Sequence, residues 1–154
     1  GPDACRYFFL ARSPEAQMEF DLDLAIRQSQ ENPVYYIQYA YARIAGILRQ
    51  AEEQGLSSKN AQVQLLTSPE ELDLIRSMVT LPELVDSMAR AQEPHHLPHY
   101  TLQLAIAFHW FYDRCRVITA DPALTRARLK LVEAARVVLA RCLSIMGMEA
   151  PERM

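Results

Sequence analysis

Tyr36, Tyr39 and Arg43 stand three and four residues apart, so a helix sets all three on one side. That set suits an unpaired nucleobase. An aromatic ring offers a stacking platform, and a guanidinium one turn further can stack on a base, hydrogen-bond its edge or meet a phosphate. His109, Tyr112 and Arg116 repeat the arrangement later in the chain. Tyr and Arg are also enriched in protein hot spots, so spacing alone leaves open a helical interaction module whose tyrosine face docks a partner helix. Tyrosines 35, 36, 39 and 41 must spread around their helix, so some of them belong to the core.

Other residue types that could carry chemistry point nowhere so definite. His95-His-Leu-Pro-His99 has the density of a metal tract, but Pro98 is expected to keep His95 and His99 off one regular helix. No Cys or carboxylate at ligand spacing follows, so no metal site is expected. His109 lies between aromatic neighbours and reads as a structural or base-contacting group. Glu19, Asp21 and Asp23 alternate along a helix start, where they offset the macrodipole rather than form an acid/base pair. A glycine-rich phosphate loop is missing too. No residue is assigned a catalytic role.

The elements that must position the tyrosines are bracketed by proline. Asn32-Pro33, Ser68-Pro69 and Asp121-Pro122 each put a capping side chain before a proline at the first helical position, and Ser68-x-x-Glu71 is a capping box. Helices are predicted at about 3–12, 21–31, 33–54, 69–79, 82–92, 98–118 and 122–146, with no strand pattern, giving an all-α fold. Val34, Ile37, Tyr41, Ile44 and Leu48 form the apolar stripe of helix 33–54, leaving Tyr36, Tyr39 and Arg43 on another face. Helix 98–118 is expected to bury Leu104, Phe108, Phe111 and Cys115, with His109, Tyr112 and Arg116 on a different side. Leu124, Ala127, Leu131, Ala135, Val138, Cys142 and Ile145 line helix 122–146, which stops at Gly147. These three helices are expected to build a bundle core. Gly55 to Ala61 reads as a mobile loop, and the apolar run Arg6-Tyr-Phe-Phe-Leu10 as a surface covered by something further in a longer chain.

At 154 residues the chain can fold as one bundle with a small appendage. Its three cysteines (5, 115 and 142) are odd in number and lack a Cys-x-x-Cys pair, which argues against a disulfide framework and for a reducing cytoplasm. Cys115 and Cys142 read as small buried hydrophobes. Neither a secretory signal nor an apolar run of bilayer length is present. The net charge of −3 speaks against holding nucleic acid by bulk electrostatics. Its distribution is uneven: seven acids face two bases between Glu52 and Asp86, net −5, while six bases face three acids between His109 and Arg136, net +3.

Several words, in order, carry a family resemblance. Gly1-Pro-Asp-Ala-Cys-Arg-Tyr-Phe-Phe-Leu10, Met18-Glu-Phe-Asp-Leu-Asp-Leu-Ala25, Asn32-Pro-Val-Tyr-Tyr-Ile-Gln-Tyr-Ala40, His109-Trp-Phe-Tyr-Asp-Arg-Cys-Arg-Val117 and the ending Ala150-Pro-Glu-Arg-Met154 together resemble the C-terminal DALR-type anticodon-binding domain of bacterial-type arginyl-tRNA synthetase. The likeness covers essentially the whole chain. It implies a helical bundle of the class I synthetase anticodon-binding type over residues 32–154, preceded by a helical segment, 1–31, that connects to the catalytic domain. It implies recognition of the tRNA(Arg) anticodon loop, in support of ATP-dependent ligation of arginine in the intact enzyme. Tyr36, Tyr39, Arg43, Tyr112, Arg116 and Met154 match its anticodon-contacting positions, although relatives can carry an aromatic where this chain has Arg116. No His-x-Gly-His or Lys-Met-Ser-Lys word is present, so the chain itself is expected to be inactive and free of cofactor, with ATP and magnesium serving the full enzyme. The implied partners are tRNA(Arg) and the enzyme's own catalytic domain, with no DNA and no membrane.

Overall fold

The structure, a computed structural model, describes residues 1–17, 21–29 and 31–154. Among these are seven α-helices, α1 (Pro2–Leu10), α2 (Leu22–Ile26), α3 (Pro33–Glu53), α4 (Pro69–Val79), α5 (Leu81–Ala91), α6 (His96–Arg114) and α7 (Pro122–Ile145), with a short 3-10 turn at Val63–Leu65 and no strand. The reading of Glu19 as a helix-start carboxylate lies outside the described residues.

Caps fix where the long helices begin. Asn32 Oδ1 accepts from the backbone N–H groups of Val34 (3.0 Å) and Tyr35 (3.4 Å), and Asp121 Oδ1 does the same for Ala123 (2.8 Å) and Leu124 (3.3 Å). In each case proline follows at a position whose N–H would have had no helical partner. Glycine serves the other end: Gly55 and Gly147 take positive φ of 69° after α3 and α7, and the next N–H in each case returns to a carbonyl of the last turn, Leu56 to Ala51 and Met148 to Leu143, both at 2.8 Å.

The packing of α3, α6 and α7 against one another forms the core, with α4 covering α6 and α7. Ile37, Ile44, Leu104, Phe108, Phe111 and Leu139 have no solvent exposure. On α7 the buried surface is wider than a single stripe. Leu129, Val132, Leu139 and Leu143 are buried beside Ala127, Leu131, Ala135 and Cys142, whereas Ile145 is exposed. The reason is that α7 touches α3, α6, α4 and the 63–65 turn and so needs more than one apolar face. Cys115 and Cys142 are buried free thiols, and burial pushes the Cys142 thiol up to about 11. No described helix is long and apolar enough to cross a membrane.

Three elements differ from the pattern reading. First, α2 stops at Ile26 instead of reaching residue 31, because the Asn32 amide donates to the carbonyls of Arg27 (2.9 Å) and Ala25 (3.4 Å) and Arg27 is already extended (ψ 133°). Asn32 therefore ends one helix and starts the next. Replacing it by alanine is expected to lower stability by about 1–3 kcal/mol, the loss of a cap plus carbonyls left without a donor, measured by urea unfolding. Second, α6 spans 96–114 rather than 98–118. Pro98 sits in its first turn, where a missing N–H costs nothing, and its end is set by the β-branched run Val117-Ile118-Thr119 and by Arg128, whose Nη1 donates to the Arg116 carbonyl at 2.7 Å. Third, the Gly55–Ala61 segment is tethered: Ser58 Oγ lies 2.7 and 2.8 Å from the two carboxylate oxygens of Glu133 on α7.

Candidate nucleic-acid interface

Arg43 is the centre of the site. Its guanidinium carbon lies 4.6 Å from the centroid of the Tyr39 ring and 4.2 Å from that of Tyr112, so the cation is held between a tyrosine of α3 and one of α6. Nη2 donates to the Tyr39 hydroxyl at 2.7 Å, and the Asp113 carboxylate stands 3.9 Å from Nη1. Because α3 and α6 pack side by side, residues far apart in sequence meet here. Tyr112 is 38% exposed, enough for a flat ligand to reach one face of the ring.

The aromatic surface continues toward the start of α3. Tyr35 stacks on Tyr39 with ring centroids 6.0 Å apart and planes within 5°. Behind them His109 is buried, its ring 4.4 Å from that of Tyr36 and 5.8 Å from that of Tyr39. Of the two readings of His109, structural or base-contacting, its burial favours the structural one: off the apolar stripe of its own helix, it is covered by α3, and Nε2 donates to the Tyr36 carbonyl at 3.4 Å. Burial lowers the His109 pKa below its ordinary 6.5, with Arg43 acting in the same direction against the Tyr36 carbonyl and Asp113. A histidine kept neutral by the fold contributes stability above its unfolded value, and that contribution is lost as pH falls below about 6.5. The midpoint of thermal unfolding should therefore fall between pH 7.5 and 5.5, and His109→Phe should lose less over the same interval.

Tyr36 is half-buried, and its hydroxyl pKa is raised by burial first and by Asp113 second, against Arg43. Met154 is exposed and lines, with Tyr35, Gln38, Asn32 and Arg27, a cavity of about 440 Å³ beside the α3 N-terminus. Tyr35 lines this cavity and also belongs to the stacked pair, so the cavity borders the Tyr39 end of the cluster. Its position four residues before Tyr39 was the available signal, hidden among four close tyrosines. Arg116 falls elsewhere than expected. It follows the end of α6 instead of sharing a helical face with Tyr112, and the two line a separate cleft of about 500 Å³ together with Gln50 and Gln54.

The histidine tract makes one local contact, His96 with Glu93 at 3.2 Å, and one long-range contact, His99 Nε2 donating to the Ala11 carbonyl at 3.1 Å, which ties α6 to the segment after α1. Among the described residues, no three His, Cys, Asp or Glu side chains gather as a metal site would require.

Residues 37–154 match the family described as the DALR anticodon binding domain, a span that begins within α3, after Tyr36, and takes in Tyr39, Arg43, α6, α7 and the tail. The chain belongs to that family. As a DALR domain it is 58% identical over its full length to an arginine–tRNA ligase of Dehalococcoides mccartyi and 51% identical over 99% of its length to that of Symbiobacterium thermophilum. In both cases this chain spans 28% of the relative's length. The solved arginyl-tRNA synthetase of Thermus thermophilus superposes with a TM-score of 0.87 at 30% identity, over 99% of this chain and 26% of that one.

Proposed function

We propose that this DALR domain receives the anticodon loop of tRNA(Arg) and serves an arginine–tRNA ligase whose other domains carry the catalytic chemistry. The observation that carries the reading is the Arg43 guanidinium held between the Tyr39 and Tyr112 rings on an accessible surface. An unpaired base stacked on an aromatic contributes about 1–3 kcal/mol, so two or three such contacts hold a loop without a broad basic patch. This reconciles RNA binding with a net charge of −3. Tyr36, Tyr39, Arg43, Tyr112 and Met154 are the proposed contacts. Arg116, reaching into the neighbouring cleft, is assigned to the flanking backbone. Residues 1–31 are proposed as the connection to the catalytic part and 32–154 as the recognition bundle. ATP and magnesium belong, on this reading, to the catalytic part, and no step through them falls to these residues. A cytoplasmic location follows from the role.

The deciding experiment is titration of an anticodon stem-loop of tRNA(Arg) against the domain at several salt concentrations. Binding should weaken as salt rises, because phosphate contacts release counterions. A domain that ignores the stem-loop but captures a partner helix through the same tyrosines would overturn the proposal. Deleting residues 151–154 should weaken RNA binding several-fold while leaving helical circular dichroism unchanged, since the deleted residues lie outside every helix.

A further inference from the structure

The tail after α7 has no helical hydrogen bonds of its own, yet two networks fasten it. At its start, Asp3 Oδ2 on α1 accepts from the Glu149 backbone N–H (3.0 Å) and from Gln38 Nε2 on α3 (2.8 Å), and Gln38 Nε2 also lies 3.1 Å from the Glu149 carbonyl as a donor. Three residues on, Glu152 is gripped from two helices. Arg136 Nη2 on α7 donates to Glu152 Oε1 at 2.5 Å, while Arg49 Nη1 on α3 donates to the Glu152 carbonyl at 3.1 Å and stands 3.8 Å from Oε2. Arg136 is itself steadied, its Nε donating to the Tyr41 hydroxyl at 3.2 Å.

We infer that Asp3 and Glu152 are positioning residues, a two-point latch that holds Met154 at the cavity it lines with Tyr35 before any ligand arrives. The inference rests on the reading above for its purpose but not for its geometry. Glu152, Arg49 and Arg136 are substantially exposed, so the Glu152 point of the latch adds little to global stability, whereas the Asp3 carboxylate is 14% exposed and hydrogen-bonded on two sides. Its effect is to remove freedom from a segment that would otherwise have to order on binding. Asp3 also ties the tail to α1, so any movement of α1 against α3 is passed to Met154.

The test uses the 154-residue chain with 13C-labelled methionine methyl groups. In the wild type the Met154 methyl should differ in shift and relaxation from a free chain end. In Glu152→Ala and in Asp3→Ala it should relax as a mobile terminus; the thermal midpoint should stay near the wild-type value in Glu152→Ala and fall modestly in Asp3→Ala, which leaves two donors without their acceptor. Asp3→Asn, which keeps one acceptor oxygen, should restore part of the order. Stem-loop affinity should fall about 5- to 30-fold in the two alanine variants, the equivalent of ordering one backbone residue. A Met154 methyl equally restrained in both alanine variants overturns the latch, and a released methyl with unchanged affinity overturns its role in RNA binding. A wild-type chain that binds no stem-loop sinks the proposed function instead, with the methyl signals still deciding the latch.

Discussion

Replacing Arg128 by alanine is expected to lower the stability of this domain by about 3–5 kcal/mol, because it strands a carboxylate in the core. Glu71 is 1% exposed. Its Oε1 accepts from Arg128 Nε at 2.7 Å and its Oε2 from the Ser68 backbone N–H at 2.9 Å, so both oxygens are satisfied only while Arg128 is present. Arg128 additionally donates to the Arg116 carbonyl, so the same change loosens the segment after α6. For a chain of this size the thermal midpoint should drop by about 6–20 °C. Acid dependence supplies the control. Burial alone would raise the Glu71 pKa, but the Ser68 N–H and Arg128 outweigh it and hold the carboxyl below its ordinary 4.5. A depressed carboxylate contributes stability above its unfolded value and loses it as pH falls through the folded one. The deficit of Arg128→Ala should therefore be largest at neutral pH and shrink toward pH 3. A variant replacing Glu71 and Arg128 together by leucine and methionine should recover much of the loss, since a buried ion pair is often no better than apolar packing.

That pair shows where sequence reasoning reached and where it stopped. Ser68 and Glu71 announce a capping box by local spacing, and the capping contact is present. Nothing local announces that Arg128, 57 residues on, completes it. The long helices were legible because their signals are local too: Asn32-Pro33 and Asp121-Pro122 mark starts, and Gly55 and Gly147 mark stops. The end of α2 was not, because periodicity ran on past Ile26 while the side chain of Asn32 captured the Arg27 carbonyl. At the candidate interface, three residues at helical spacing pointed to one face of α3, and the rings of Tyr39 and Tyr112 do converge on Arg43. The depth of His109 and the departure of Arg116 from α6 depend on how closely two helices approach and on where one of them unwinds. Neither is written in the spacing of residues on a single helix.

At the proposed interface, Arg43→Ala is expected to weaken stem-loop binding about 10- to 150-fold, by loss of a stacking or hydrogen-bonding cation and of the bridge that holds Tyr39 and Tyr112 in place. Tyr112→Ala isolates the stacking part, because Tyr112 lies at the exposed edge of the cluster and leaves the core intact. It should cost about 5- to 150-fold in affinity, the range for one base on one ring. Salt separates the two roles. If Arg43 meets a phosphate, its removal lowers the slope of log affinity against log salt by about 0.7 for single-stranded RNA, whereas removal of the Tyr112 ring leaves that slope unchanged. Arg43→Lys distinguishes further, since lysine keeps the charge but not the flat guanidinium that two rings can flank. Recovery by lysine would identify a purely electrostatic contact. Failure of lysine to restore affinity, with the salt slope preserved, would mean that the planar stack is what the RNA recognises. On the proposed reading, such a cluster would take unstacked bases by their faces, and the packing of α3 against α6 is what lets one guanidinium span both tyrosines. Wild-type affinity in both Arg43→Ala and Tyr112→Ala would exclude this surface as the RNA contact.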